Sequence, residues 1–175
     1  VLGWLVGDGH LKHGEERAVL NFYDEDSQIS ADFAGDVNDI VRDATTNRDY
    51  TVGVSDITRD DDYRGPQALE QRIRSTRLYE YAEQAGLVDE KLQVPDGVMR
   101  GSEEMARGFL RALFTADGGV QGTMEKGNSV RLTSTSTALL KQVQQLLLNF
   151  GVASKIYEER HEAGEQEMPD RTGGT

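Results

Sequence analysis

The clearest hydrophobic periodicity in the chain lies in a stretch that ends in an acid and a glycine, Asp117 and Gly118. Its apolar residues fall three or four positions apart, which predicts a helix: Phe109, Leu110, Leu113 and Phe114. Ser102 is a suitable N-cap residue for this helix, and two glutamates follow it where the helix dipole favours negative charge.

A weaker copy of the same pattern opens the chain, from Val1 to Gly9, and it also closes with an acid and a glycine. Small residues recur four positions apart in both copies, at Gly3 and Gly7 and at Ala112 and Ala116. This spacing leaves a smooth stripe along which two helices can approach closely. We therefore predict that the two helices pack against each other.

Each predicted helix delivers one carboxylate, Asp8 or Asp117, to the place where it ends. A carboxylate at a helix C-terminus opposes the dipole, and two carboxylates brought together repel each other. A divalent cation would relieve both problems, since magnesium and calcium prefer hard oxygen ligands. The pair therefore predicts a shared metal site.

The rest of the chain repeats with the same offset of 109 residues, which also relates Ser27 to Ser136. Both serines precede segments with helical periodicity. Each half is therefore predicted to run as helix, two strands, helix and strand. The predicted strands are 10–13, 17–23, 49–58, 120–124, 129–135 and 154–159.

The first half continues into a predicted helix over 66–86, whose apolar face holds Leu69, Ile73, Leu78 and Tyr81. The second half stops where its matching helix should begin. This predicts a first half over 1–86, a linker over 87–101 and a second half over 102–175 that is truncated at its C-terminal end.

Both apolar copies resemble the nine-residue motif of the LAGLIDADG homing endonucleases, the DNA-cutting enzymes of inteins and mobile introns. The second copy matches at Leu110, Leu113, Ala116, Asp117 and Gly118, and the first at Gly3, Asp8 and Gly9. The resemblance implies an α+β fold with two pseudo-symmetric αββαββα halves, central packed motif helices and antiparallel sheets that face DNA. It is closest to the intein type.

The resemblance also implies which residues carry the chemistry. Asp8 and Asp117 would be catalytic metal ligands for magnesium, with the carbonyls of Gly7 and Ala116 nearby. In the intein enzymes a catalytic lysine lies three residues before a proline. Here Leu92 occupies that place, and Lys91 is the candidate, displaced by one residue.

Sequence recognition would come from outward-facing side chains of the strands, because a twisted sheet can lie in the major groove. Strand alternation turns Ala18, Leu20 and Phe22 inward in the first half, and Val130 and Leu132 inward in the second. The candidate DNA-binding residues are Lys12, Arg17, Asn21, Arg59, Gln121, Thr123, Lys126, Arg131, Thr133 and Lys155. One chain with two half-sites would act as a monomer on a long asymmetric duplex site.

The net charge of −12 over 175 residues argues against nucleic acid at first sight. Either the protein does not bind DNA, or it comes from a salt-loving organism whose proteins carry acid over the whole surface. The acids are widely spread, which favours a haloarchaeal source. The chain has no cysteine and no apolar run of the roughly 20 residues that span a membrane, which favours a cytoplasmic protein.

These features predict a site-specific, metal-dependent endonuclease that cuts double-stranded DNA and lies within an intein. The chain carries no nucleophilic cysteine and no terminal His-Asn pair, so splicing by this chain alone is not predicted. The alternatives are a DNA-binding domain that has lost cleavage and a scaffold domain retained within an intein.

Overall fold

The computed structural model of the chain describes residues 1–42, 50–57, 70–123, 125 and 127–158. Its first half runs as αββαββα, the order that the resemblance implies. The elements are α1 (Leu2–Val6), β1 (Gly9–Lys12), β2 (Arg17–Tyr23), α2 (Ser30–Ile40), β3 (Val54–Ile57), β4 (Glu70–Ser75) and α3 (Thr76–Gln84).

The four strands of the first half form one antiparallel sheet in the order β1-β2-β4-β3. Leu20 in β2 lies opposite Gly9 in β1 and Ile73 in β4. Ala18, Leu20 and Phe22 are fully buried on the inner face of this sheet, as the strand alternation predicts.

Aromatic packing joins this inner face to the helices. Trp4 in α1 is fully buried, and its ring stacks on Phe22 with the centroids 4.9 Å apart. Phe33 in α2 lies against both rings, at 4.9 Å from Trp4 and 5.4 Å from Phe22. The first motif helix is therefore anchored in the core of the first half.

The predicted helix over 66–86 is wrong in its first part. Its residues 66–69 lie outside the described residues, and β4 follows before α3 begins. Ser75 caps α3, because its hydroxyl accepts the main-chain N–H of Leu78 at 3.0 Å. Residues 70–75 form a strand because they fit between β2 and β3, and this long-range pairing outweighs their helical propensity.

Ser27 does not open the second helix of the first half. Residues Asp24–Ile29 form a 3₁₀ helix, and α2 begins at Ser30. The main-chain N–H of Ser30 donates to the carbonyl of Ser27, which is the i+3 bond of this tighter turn. The helix is present, but it starts later than the repeat predicts.

The second half repeats the order of elements only as far as its second helix within the described residues. A short helix in the linker, α4 (Asp96–Met99), precedes the second half. The elements of the second half are α5 (Glu103–Asp117), β5 (Gly118–Thr123), β6 (Gly127–Leu132) and α6 (Thr137–Asn149). Ser102 and Ser136 cap the two helices, as predicted for Ser102 and as the repeat implies for Ser136.

The hairpin of β5 and β6 does not pack on the helices. Val120 and Val130 lie opposite each other on its inner face, and they are 70% and 68% exposed. The prediction that Val130 faces the helices is therefore wrong, whereas Leu132 at the hairpin base is half-buried against the core. The hairpin has an apolar inner face with nothing from the described residues covering it.

The strand predicted over 154–159 is not formed in its described part, 154–158. The second sheet consists of β5 and β6, and neither pairs with these residues. An extended segment without a hydrogen-bonded neighbour is not a strand. Within the described ranges, no helix is both long and apolar enough to cross a membrane.

Candidate metal centre and nucleic-acid interface

The two motif helices touch at their small residues, which confirms the predicted packing. A Cβ atom placed on Gly3 would lie 2.2 Å from the carbonyl oxygen of Phe109 and 3.1 Å from the Cβ of Ala112. One placed on Gly7 would lie 2.7 Å from the Cβ of Ala116. No larger residue fits either position without movement, so α1 and α5 depend on glycine for their close contact.

This contact brings the C-terminal ends of α1 and α5 side by side. The position of a Cβ on Gly7 is 3.3 Å from Oδ2 of Asp117, and Asp8 is the next residue along the chain. The carboxylate of one helix therefore lies beside the backbone that carries the other.

Lys91 reaches this place from the linker, 84 residues away in sequence from its partner. Its Nζ donates to the carbonyl oxygen of Gly7 at 3.1 Å. Burial lowers the pKa of Lys91, while the charges of Asp117 and Asp8 oppose that shift. The structure thus brings together all five residues that the motif resemblance implies: Gly7, Asp8, Lys91, Ala116 and Asp117.

The position of Lys91 is held by contacts of the linker residues that follow it. Oε1 of Gln142 in α6 accepts the main-chain N–H of Val94 at 2.8 Å, and Nε2 of Gln93 donates to the carbonyl of Gly86 at 2.9 Å. Val94 is buried. These contacts place Lys91 at the site although its spacing differs by one residue from the family pattern.

The two carboxylates have different surroundings. Asp117 is exposed as a residue, but partial desolvation raises its pKa, and the ammonium of Lys91 opposes this shift. Asp8 is half-buried, and its main-chain carbonyl is held by Asn21 in the neighbouring strand. The two carboxylates thus have one charged neighbour in common, the ammonium of Lys91.

The donors at this centre fit a hard divalent cation. They are carboxylate and main-chain carbonyl oxygens, the latter from Gly7 and from Ala116 in the last turn of α5, where carbonyls lack an intrahelical donor. The described ranges hold no cluster of three or more His, Cys, Asp or Glu side chains suited to a metal. One or two carboxylates completed by water and phosphate suit magnesium or manganese.

Asn21, one of the candidate DNA-binding residues, makes hydrogen bonds within the protein. It alternates away from the inner face as predicted, but it is only 7% exposed. Its Nδ2 lies 2.8 Å from the carbonyl oxygen of Asp8 and 3.2 Å from Nδ1 of His10. The amide nitrogen is thus hydrogen-bonded within the protein, whereas the buried Oδ1 has no hydrogen-bond partner among the described residues.

The outer face of the first sheet concentrates basic side chains despite the acidic average of the chain. The pairing register places Lys12, Arg17, Arg72 and Arg74 on this face together with His10. Burial lowers the pKa of His10, and the charges of Arg72, Lys12, Lys91 and Arg74 lower it further. The basic groups therefore lie close enough to act on one another beside the metal centre.

The helix predicted over 66–86 includes Arg72 and Arg74, so neither is among the candidate DNA-binding residues. Their own segment held the signal, since Arg72 and Arg74 alternate with Ile73 and Ser75 at the period of a strand. Arg72 is paired with Glu70, which is buried, and Arg74 is exposed.

Among the described residues, the outer side of the second hairpin carries fewer basic side chains than the outer face of the first sheet. Gln121, Thr123 and Arg131 share its outer side, and Nη1 of Arg131 donates to Oε1 of Gln121 at 2.5 Å. Thr133 and Lys155 are exposed beyond the strands, and Nζ of Lys155 lies 4.8 Å from the ring centre of Tyr157. The two remaining candidates, Arg59 and Lys126, lie outside the described residues.

Comparisons with known proteins agree with this fold. Residues 104–172 match the family described as LAGLIDADG-like domain. The crystal structure of I-DmoI in complex with DNA and Mn matches with a TM-score of 0.57 and 20% sequence identity, over 91% of this chain and 80% of that one. The chain therefore has the α+β fold of the LAGLIDADG homing-endonuclease structure I-DmoI.

Two curated relatives match nearly the whole chain. The ribonucleoside-diphosphate reductase NrdEB subunit alpha of Bacillus subtilis is 27% identical over 178 residues, which are 100% of this chain and 16% of that protein. The replication factor C small subunit of Thermococcus kodakarensis is 28% identical over 159 residues, 91% of this chain and 16% of that protein. The chain thus spans about a sixth of the length of these relatives.

Proposed function

We propose that this chain is a site-specific, metal-dependent DNA endonuclease domain that lies within an intein. The observation that carries the proposal is the pair of carboxylates, Asp8 and Asp117, at the adjoining ends of two packed helices with Lys91 beside them. The fold shared with I-DmoI, which was crystallised with DNA and Mn, supports the same activity.

The names of the relatives support the intein setting. A reductase subunit and a replication factor have no activity in common, yet each carries a segment similar to this chain that makes up 16% of its length. A segment shared by otherwise different proteins is what an inserted element leaves behind. Homing endonucleases of inteins and mobile introns are found inserted in unrelated host genes, which is the distribution seen here.

Each residue has a defined part in the proposed reaction. Asp8 and Asp117 would hold magnesium together with the carbonyls of Gly7 and Ala116. When bound, the metal supplies a polarised phosphoryl oxygen and an activated water for phosphodiester hydrolysis. Lys91, fixed at the Gly7 carbonyl, adds a positive charge where negative charge develops on the scissile phosphate.

The basic outer face of the first sheet would bind the phosphates of the duplex, and the second hairpin would contact the adjoining half-site. Because both halves are in one polypeptide, the domain would act as a monomer on a long asymmetric site. The acidic remainder of the surface favours the cytoplasm of a salt-loving organism, where high salt screens the repulsion between its carboxylates and DNA.

The test is cleavage of duplex DNA that carries the uninterrupted host sequence, by the polypeptide that contains these 175 residues, in molar potassium chloride. We expect cutting at one site with magnesium and none with EDTA. Replacing Lys91 by methionine should lower the rate of cutting and leave DNA affinity nearly unchanged. Absence of any cutting by a folded protein with magnesium would contradict the proposal.

A DNA-binding domain without cleavage is the second candidate, with a scaffold domain behind it. The ammonium of Lys91 on the Gly7 carbonyl favours the binding domain, since this positive charge already compensates the two carboxylates without a metal ion. Site-specific binding with no cutting in magnesium or manganese would select the binding domain. A folded protein that neither binds nor cuts would select the scaffold.

A further inference from the structure

We propose that Asn21 is a positioning residue that fixes the main chain of Asp8 and thereby sets one of the two carboxylates in place. The inference rests on the proposed function of the centre. Its starting point is the burial of the polar side chain of Asn21 on the outer face of the first sheet, beside the basic residues of that face.

The hydrogen bonds of Asn21 converge on Asp8. The main-chain N–H of Asn21 donates to the carbonyl oxygen of Asp8 at 3.3 Å, which continues the ladder of β1 and β2 by one residue. Nδ2 of the same residue donates to the same oxygen at 2.8 Å. The carbonyl of Asp8 is thus held twice, by the backbone and by the side chain of one neighbour.

The orientation of the amide follows from its partners. A carbonyl oxygen only accepts, so the nitrogen of the amide must face Asp8. The second hydrogen of Nδ2 then points to Nδ1 of His10, 3.2 Å away, which must be an unprotonated acceptor. Asn21 therefore also selects the tautomer of His10 that carries its proton on Nε2.

Asn21 itself is anchored in the core. Nε1 of Trp4 donates to the main-chain carbonyl oxygen of Asn21 at 2.9 Å, and Trp4 is fully buried in the first motif helix. The chain of contacts runs from the core, through Trp4 and Asn21, to the backbone of Asp8. The helix and the strand on the two sides of Asp8 are locked together by one residue.

Among the described residues of the second half, none holds Asp117 in the way that Asn21 holds Asp8. Extending the register of β5 and β6 by one pair past Gly118 and Leu132 sets Thr133 opposite Asp117, as Asn21 is opposite Asp8. Thr133 is exposed, and its side chain is too short to make both of the bonds made by Asn21. The two carboxylates are therefore held unequally, and Asp8 is the more firmly positioned.

The experiment measures manganese binding by electron paramagnetic resonance, without DNA, for the parent and for Asn21→Leu. Loss of an outer-shell partner typically lowers metal affinity about 10- to 100-fold, and we expect a loss in that range. The rate of DNA cutting should fall by a similar factor, while DNA affinity measured in calcium stays within about twofold. Asn21→Ser, which keeps a small polar group, is the second variant in case Asn21→Leu does not fold.

Val19→Ala is the matched control, since Val19 is buried on the same face of the same strand and bonds to neither Asp8 nor His10 through its side chain. It should lower thermal stability and leave manganese affinity unchanged. The ¹⁵N shifts of His10 should show the Nε2–H tautomer in the parent and a mixture in the Asn21 variants.

Two results have separate meanings. Manganese affinity that is equal in the parent, Asn21→Leu and Asn21→Ser would overturn this inference and leave the endonuclease proposal standing. A folded parent that binds no manganese and cuts no DNA would overturn the endonuclease proposal itself, and the positioning role with it.

Discussion

The two halves of the molecule share their motif helices but differ in their sheets. Within the described ranges, the first sheet has four strands and a buried inner face, whereas the second has two strands and an exposed pair of valines, Val120 and Val130. The helices meet where glycines of the first copy lie against alanines of the second. In the part of the chain that the structure describes, the two halves are therefore most alike where they touch and differ in their sheets.

The largest expected effect concerns the difference in burial between the sheets. Leu20→Ala removes a fully buried side chain from the first sheet and should lower the free energy of unfolding by about 2–5 kcal/mol. Val130→Ala removes an exposed side chain from the second hairpin and should change it by about 0.5 kcal/mol or less. Urea denaturation of both variants in molar salt measures the two values.

Equal losses for the two variants would contradict the comparison, because they would mean that the inner face of the hairpin is covered in solution. The slope of the denaturation curve is a useful control. It should be the same for parent and variants if both still unfold as one cooperative unit.

The next effect concerns the contact between the motif helices. Gly3→Ala places a methyl group where it would meet the carbonyl of Phe109 at 2.2 Å, and overpacking of this kind costs about 1–3 kcal/mol. Gly108→Ala is the matched control in α5, because a Cβ there meets no atom within 4 Å. That variant should stabilise the protein by about 0.5–1 kcal/mol through helix propensity.

The signs of these two changes should therefore be opposite when thermal denaturation is compared under the same conditions. A Gly3→Ala protein as stable as Gly108→Ala would show that the helices do not approach as closely as the contact distances require. The shared site at their ends would then lose its support as well.

The smallest effect concerns the polar faces of the two sheets. Arg74→Ala should lower the slope of log K against log salt for DNA binding by about 1, as expected for one lost phosphate contact. Arg131→Ala should lower it by less, since its guanidinium bonds to Gln121 and Ser129 on a hairpin that the core does not support. Titrations of fluorescent duplex DNA at several salt concentrations give the slopes.

Arg107→Ala provides the control for this series, because Arg107 lies on α5 and pairs with Glu103 on the exposed side of that helix. Its slope should equal that of the parent. A larger loss for Arg131 than for Arg74 would reverse the comparison and make the second hairpin the principal DNA-binding surface.

Local sequence patterns predict the elements that depend mainly on contacts between residues close together in the chain. The helix dipole, the N-cap at Ser102 and the apolar spacing predict α5, and strand alternation predicts β2 over its observed length. Local reasoning fails for β4, because the helical spacing over 66–86 is preferred to the strand alternation that residues 70–75 also show. It fails also for 154–158, which have no pairing strand among the described residues.

The candidate site shows the same division. The two carboxylates are predictable because each follows a helix whose small residues indicate close contact with the other helix. The contribution of Asn21 cannot be predicted in this way, because its burial depends on the direction in which β1 continues from α1. Arg72 and Arg74 are missed because the sequence predicts a helix where they form a strand. The arrival of Lys91 beside Gly7 depends on tertiary contacts of the linker that no local pattern contains.

The most direct test asks whether Asp8 and Asp117 serve one centre. Asp8→Asn and Asp117→Asn should each abolish cutting of both strands of a specific duplex and each weaken manganese binding, in proteins that remain folded and still bind the DNA. If instead each variant cuts one strand at the parent rate and loses only the other, the carboxylates serve two independent sites, and the shared centre proposed here is wrong.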